Sequence, residues 1–265
     1  MSRVRPLARV AAVALAGTLA AACGRITEPP PTVNRYAALN LVSRSAPGGA
    51  ARGAATLILF EAVTQAIPSS ARQQTDQCVI SSLDTLRLPT RGERRHAAAP
   101  AFTVAGAAVP LTYNDTLARY QAPVVTYRAG DQAQLTLPAD AAFFPAATIA
   151  VRLAEPLLPG PVTAPAVGQP LALTWNGTSD ATTSVALSLR YANPPSSPYA
   201  NEQVYCLLRD DGVQELPAVL LANFYVSPGT TRSVQFSRWR TNEVLPDSRS
   251  LLHIATSFDT VVSIR

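Results

Sequence analysis

"SVALSLRY", Ser184 to Tyr191, decides the fold class. Val185, Leu187, Leu189 and Tyr191 fall on one parity, and Ser184, Ala186, Ser188 and Arg190 on the other. Successive side chains of an extended strand point to opposite faces, so a period of two separates an apolar face from a polar one. A helix would scatter the same residues around its axis. The stretch reads as a strand that covers a core on one side.

The pattern repeats outward from there. In "LALTW", Leu171, Leu173 and Trp175 oppose Ala172 and Thr174, and "NGTSDATT" between the two runs has the small polar residues of a strand connection. In the first half, "TLILFEAV", "CVISSLDTL", "FTVAGAAV", "QLTLP" and "TIAVRL" read as short strands, the last with Ile149, Val151 and Leu153 opposing Ala150 and Arg152. Turn signals at Pro68-Ser69-Ser70, Gly130-Asp131 and Pro138 separate them. No segment carries a sustained helical stripe. The expected class is all-β, built as sandwiches of immunoglobulin-like architecture.

Two compositional breaks suggest the organisation. "TEPPPTVN", Thr27 to Asn34, reads as an extended tether, and "EPLLPGPVTAPAVGQP", Glu155 to Pro170, with five prolines and two glycines, as a linker or an interdomain crossing. The expectation is a leader at 1–22, a tether at 23–35, one β-sandwich domain at 36–155 and a second at 156–265. A single larger sandwich crossed by a proline-rich strand is the alternative. A true immunoglobulin disulfide framework is missing: Trp175 lies between Cys78 and Cys206, but these are too far apart, and Val204 stands where a Tyr would precede the second cysteine.

The N-terminus carries Arg3, Arg5 and Arg9, then the uncharged run "VAAVALAGTLAAA", Val10 to Ala22, then Cys23. That run is shorter than the roughly 20 residues a spanning helix needs and has the pattern of a secretory leader. "LAAAC", Leu19 to Cys23, resembles the lipobox of bacterial lipoproteins. The resemblance implies removal of residues 1–22, lipidation of Cys23 and, with Gly24 rather than Asp next to it, transfer to the outer membrane. Several acyl chains, at about 0.8 kcal/mol per buried methylene, make a lasting anchor. "AAA" also satisfies the rule of ordinary signal peptidase, so secretion without lipid is the alternative. A second resemblance spans Phe102 to about Phe224. "FTVAGAAVPLTYNDTLARY", "YRAGDQAQLTLP", "LALTWNGTSD" and "VYCLLRDDGVQELP" are similar to segments of uncharacterised β-rich lipoproteins of soil and predatory bacteria, and this implies no activity.

All 22 basic residues are arginines. Three belong to the leader, which leaves 19 against 17 acidic residues and "RGERRH" as the single basic cluster. Nucleic acid is not an indicated partner. The chain has two histidines, His96 and His253, and lacks a G-x-S-x-G elbow, an H-E-x-x-H helix, a glycine-rich phosphate loop and paired C-x-x-C ligands. No cofactor is expected, and a zinc centre has little to draw on.

A few residues stand out against that background. Asp210 and Asp211 in "RDDGVQE" are weak calcium candidates, against the plainer reading of an Asp-Gly turn. His253 alternates with Leu252 and Ile254 and is expected to face solvent. Trp175 shares its face with Leu171 and Leu173 and belongs in the core. Trp239 in "VQFSRWRT" alternates away from Val234 and Phe236, which makes it a candidate ligand-binding residue, against packing at a sheet edge or domain interface. With Cys23 lipidated, Cys78 and Cys206 remain. They are expected as two buried, unpaired thiols, because a bond would have to cross between the two domains; a disulfide is the alternative.

Three functional readings follow. The first is a non-enzymatic envelope lipoprotein, a structural or binding module held to the membrane by its anchor, with an envelope protein or glycan as partner. The second is a glycan-binding module built around Trp239. The third is an envelope hydrolase using Asp210, Asp211 and His253.

Overall fold

The computed structural model describes residues 33–46, 49–62, 76–82, 92–96, 99–140, 143–192, 202–229 and 231–265. Cys23, the expected leader and most of the expected tether lie outside the described residues. The described strands are β1 (Arg35–Ser45), β2 (Ala50–Ala62), β3 (Gln77–Ser82), β4 (Gly92–Arg94), β5 (Ala101–Val104), β6 (Ala107–Ala108), β7 (Thr112–Asn114) and β8 (Arg119–Arg128). They continue with β9 (Gln132–Leu137), β10 (Ala147–Arg152), β11 (Leu171–Thr174), β12 (Thr183–Arg190), β13 (Glu202–Arg209), β14 (Val213–Leu216), β15 (Ser233–Asp247) and β16 (Ser250–Ser263). Between β14 and β15 a 3-10 turn, Ala218–Leu221, leads into the short helix α1, Ala222–Tyr225. Among the described residues no helix is long and apolar enough to cross a membrane.

The chain is all-β and layered. A ten-stranded sheet runs β3-β13-β12-β15-β16-β1-β2-β8-β7, with β4 also paired to β2. A four-stranded sheet, β10-β9-β5-β6, and the pair β11-β14 complete it. Alternation seals the space between the layers. Val185, Leu187, Leu189, Leu39, Leu57, Phe236 and Ile254 of the large sheet join Leu135, Ile149, Val151, Leu171 and Leu173 in one buried cluster. Burying apolar surface at about 25 cal/mol per Å² drives this assembly.

The expected cut near Glu155 does not divide the chain. Thr32–Arg265 forms one compact unit. Strands from both sides of Glu155 share the large sheet: β1 runs parallel to β16, from Arg35 opposite Ser250 to Ser43 opposite Phe258, and β3 pairs antiparallel with β13. Ten strands in one layer also exceed the seven to nine that an immunoglobulin domain divides between two sheets.

The proline-rich stretch is a crossing packed inside the body. Leu153, Ala154, Leu157 and Val162 are buried. The Ala154 N–H donates to Thr256 Oγ1 at 3.1 Å, and Tyr127 Oη donates to the Ala154 carbonyl at 3.0 Å. Burial pushes the Tyr127 phenol up to about 12. Further along, the Gly160 N–H donates to the Thr174 carbonyl at 2.9 Å and the Ala164 N–H to that of Arg265 at 2.7 Å. Prolines lack a donor, so a run rich in them satisfies its remaining backbone groups against several elements rather than one ladder.

Candidate functional site

β15 carries Val234, Phe236, Arg238 and Arg240 on one parity, so the two arginines face inward with the apolar residues. Both are 2% exposed. A buried guanidinium is costly unless paired, and both are. Arg238 meets Asp210 at two points, Nε to Oδ2 at 2.6 Å and Nη2 to Oδ1 at 2.9 Å. Its Nη1 donates to the Pro156 carbonyl at 3.0 Å, and Nη2 also donates to the Asn176 carbonyl. The indole N–H of the buried core residue Trp175 donates to Asp210 Oδ1 at 2.9 Å.

Arg240 grips Glu155 through Nη2, at 2.8 Å to Oε1 and 2.9 Å to Oε2. Its Nη1 reaches Asp180 Oδ2 at 2.7 Å and Thr182 Oγ1 at 2.8 Å. Hydrogen bonds from the Thr182 hydroxyl and backbone N–H, with Arg240 beside them, hold the Asp180 carboxyl well below the usual carboxylate range. The two arginines thus fasten the proline-rich crossing, the connection after Trp175 and the turn that follows β13 to β15.

This overturns the calcium reading of Asp210 and Asp211. Both oxygens of Asp210 are taken by Arg238 and Trp175, so it serves as a buried counter-ion. Asp211 is exposed, and its Oδ1 accepts the Val213 N–H at 3.3 Å within the turn. Among the described residues no group of three or more His, Cys, Asp or Glu is placed to hold a metal ion.

The residues named for a hydrolase are not brought together. Asp210 sits on the inner side of the large sheet with Arg238. His253 falls on the other parity of β16 from Leu252 and Ile254, on the outer face, where it is half-buried rather than open to solvent. Its Nδ1 lies 3.1 Å from Oε1 of Glu243, the residue directly opposite on β15.

Cys78 and Cys206 form a disulfide, which corrects the expectation of unpaired thiols. β3 and β13 are neighbours in one sheet, and the two cysteines stand directly opposite each other, with Cα atoms 4.0 Å apart. No domain boundary separates them. Cys206 is buried, whereas Cys78 is half-buried.

Trp239 lies on the outer face of the large sheet, half-buried, between Ser184 on β12 and Ser257 on β16. Its Nε1 is sealed from solvent and has no hydrogen-bond partner, and the same holds for Ser257 Oγ and Asp259 Oδ1. Farther across this face, Pro123 and Val124 of β8 stand against the single residue Ala54 of β2. This bulge opens a groove of about 310 Å³ lined by Thr56, Thr112, Asn114 and Gln121 among others. Beside it, the His96 ring meets those of Tyr113 and Tyr120 at centroid distances of 4.4 and 5.5 Å. Sequence reasoning missed this groove, although a proline inside an otherwise strand-like run is a signal for a bulge.

No protein-family model matches the chain, and no curated protein is detectably similar to it.

Proposed function

We propose that this chain is a bacterial envelope lipoprotein, anchored through Cys23 in the outer membrane, whose β-rich body serves as a non-enzymatic binding module. The observation that carries the reading is the order of the N-terminal residues: Arg3, Arg5 and Arg9, the uncharged run to Ala22, Cys23, and then the proline-rich tether. The body supports it. The acidic residue best placed for chemistry, Asp210, is a counter-ion for Arg238, and His253 faces the other side of the sheet. A disulfide suits an oxidising envelope compartment.

Mass spectrometry of the native N-terminus tests the reading. The expected result is an acylated Cys23 as first residue, with membrane association lost in Cys23→Ser. An unmodified Cys23 in a freely soluble chain would end the lipoprotein claim. The glycan reading is the second one retained, because Trp239 shares the outer face with two further polar atoms that have no partner.

A further inference from the structure

The outer face of the large sheet carries an apolar patch at Tyr36, Phe60 and Leu251, and beyond it a band of small and polar residues. The pairing register orders them. Thr241 on β15 is opposite Ala255 on β16, which is opposite Asn40 on β1. Asn40 is opposite Thr56 on β2, Thr56 opposite Gln121 on β8, and Gln121 opposite Thr112 on β7. Directly opposed residues share a face, so these form one row across six strands. At about 4.8 Å between strands the row is about 24 Å long. One end reaches the groove at Gln121, and the other ends one step along β15 from Trp239.

The chemistry of the row is uniform. Apart from Ala255 it consists of hydroxyls and carboxamides, each of which both donates and accepts, and it contains no ionised side chain. Beside its far end lie three sealed polar atoms without a partner: the Trp239 indole N–H, Ser257 Oγ and Asp259 Oδ1. Trp239 and Ser257 are directly opposed, and Asp259 follows Ser257 on the same face of β16. A buried polar group left unpaired costs about 1–3 kcal/mol, so three on neighbouring positions call for a partner. That partner must accept from the indole, donate to a carboxylate and do either at the serine. An alcohol hydroxyl does all three.

We propose that this face is a binding strip for a neutral glycan chain, with Trp239, Ser257 and Asp259 seating one sugar unit and Asn40, Thr56 and Gln121 the units that follow. The inference rests on the binding-module reading above and names its ligand class. A sugar ring offers an apolar C–H face to the half-buried indole and hydroxyls to the carboxamides and carboxylate. An anionic polymer would call for arginines along the row, and an apolar peptide for pockets between large aliphatic side chains. The row has neither: the guanidinium that meets it, that of Arg119, is taken up by the Gln121 carboxamide oxygen at 2.8 and 3.0 Å. The half-buried Trp239 indole borders the row, which makes that ring a reporter of occupancy.

The test uses the full chain, purified in detergent and titrated with cellohexaose, xylohexaose and laminarihexaose by tryptophan fluorescence and calorimetry. The expected result is saturable binding of at least one of these. Trp239→Ala should weaken it about tenfold, the loss of one aromatic contact. Trp239→Phe should abolish the fluorescence change and keep only the part of the heat that ring stacking supplies without the indole N–H bond. Asn40→Ala with Thr56→Ala should weaken the hexasaccharide and leave the matching disaccharide unchanged; this pair keeps the test open if position 239 is needed for folding. No saturable heat with any of the three up to about 10 mM, or affinity unchanged in Trp239→Ala with its β-sheet circular dichroism intact, would overturn the proposal. So would equal binding of an alginate hexamer. The N-terminal mass, measured on the same preparation, keeps the two readings apart: acylated Cys23 without sugar binding removes only the glycan strip, and sugar binding by a non-acylated chain removes only the anchor.

Discussion

Arg238 and Asp210 form a two-point ion pair in which both side chains are almost fully buried, at 2% and 1% exposure, with Nε and Oδ2 2.6 Å apart. Arg238 projects inward from β15, and Asp210 lies just past the end of β13, so the pair joins two strands that are not neighbours in the sheet. Its remaining hydrogen bonds run to Pro156, Asn176 and Trp175. Removing one member leaves the other charged and without water. Arg238→Met should therefore cost about 3–5 kcal/mol in urea unfolding, the range for a broken buried pair. A loss below about 1 kcal/mol would mean that water reaches Asp210 and that the clamp is ordinary surface electrostatics.

Asp180 ties stability to pH. Its folded-state carboxyl is depressed, first by the Thr182 hydroxyl, then by the Thr182 N–H and Arg240, while the unfolded chain titrates near the usual value of about 3.9. A depressed carboxylate contributes stability that is fully present above the unfolded value and is lost as pH falls through and below it. The urea midpoint should hold steady from neutrality down to about pH 5 and then fall. In Asp180→Asn the neutral-pH midpoint should be lower and the acid slope shallower. Parallel slopes in wild type and variant would remove Asp180 as the cause.

How much of this was legible depends on the range of the signal. Strands with one buried face announce themselves locally, so the parities of Val185, Leu187 and Leu189, of Ile149 and Val151, and of Trp239 against Phe236 were all readable. The proline-rich crossing was readable only as the alternative to a linker, because proline content marks a linker and a buried extended crossing alike. What tells them apart is the partners, Thr256 for Ala154 and Arg240 for Glu155, which lie 102 and 85 residues away. The inward arginines posed the same difficulty, since a charge on an apolar face makes sense only once Asp210 and Glu155 are in place. The register of Cys78 against Cys206 follows from β3 settling beside β13, which no local pattern encodes. On the outer face, alternation placed Trp239, but its row mates Asn40, Thr56 and Gln121 come together only through pairing across the sheet.

Gly177 is required by close approach. A Cβ there would fall 2.5 Å from the carbonyl carbon of Asp211 and 2.6 Å from the nitrogen of Gly212. These are backbone atoms held by the Trp175 N–H to Gly212 carbonyl bond at 2.9 Å and the Thr178 N–H to Asp210 carbonyl bond at 2.7 Å, so they cannot swing aside as a side chain would. Gly177→Ala should destabilise the chain by about 1–3 kcal/mol, the usual cost of overpacking. Thermal unfolding followed by circular dichroism checks it. An unchanged midpoint would show that the two segments separate freely, against the clamp built by Arg238 and Asp210.

The disulfide joins residues separated by 128 positions, with most of the first half of the body lying inside the closed loop. Cross-linking so long a loop restricts the unfolded chain strongly, and native disulfides contribute about 2–5 kcal/mol. Reduction, or Cys78→Ala with Cys206→Ala, should lower the urea midpoint by a corresponding amount. The sheet should survive under native conditions, because β13 remains paired with β12 on its other edge. Thiol titration of the Cys23→Ser chain in denaturant without reductant should find no reactive thiol, and two after reduction. Two thiols before reduction would show Cys78 and Cys206 unbridged, and an unchanged midpoint in the double variant would show that the bond adds nothing to stability.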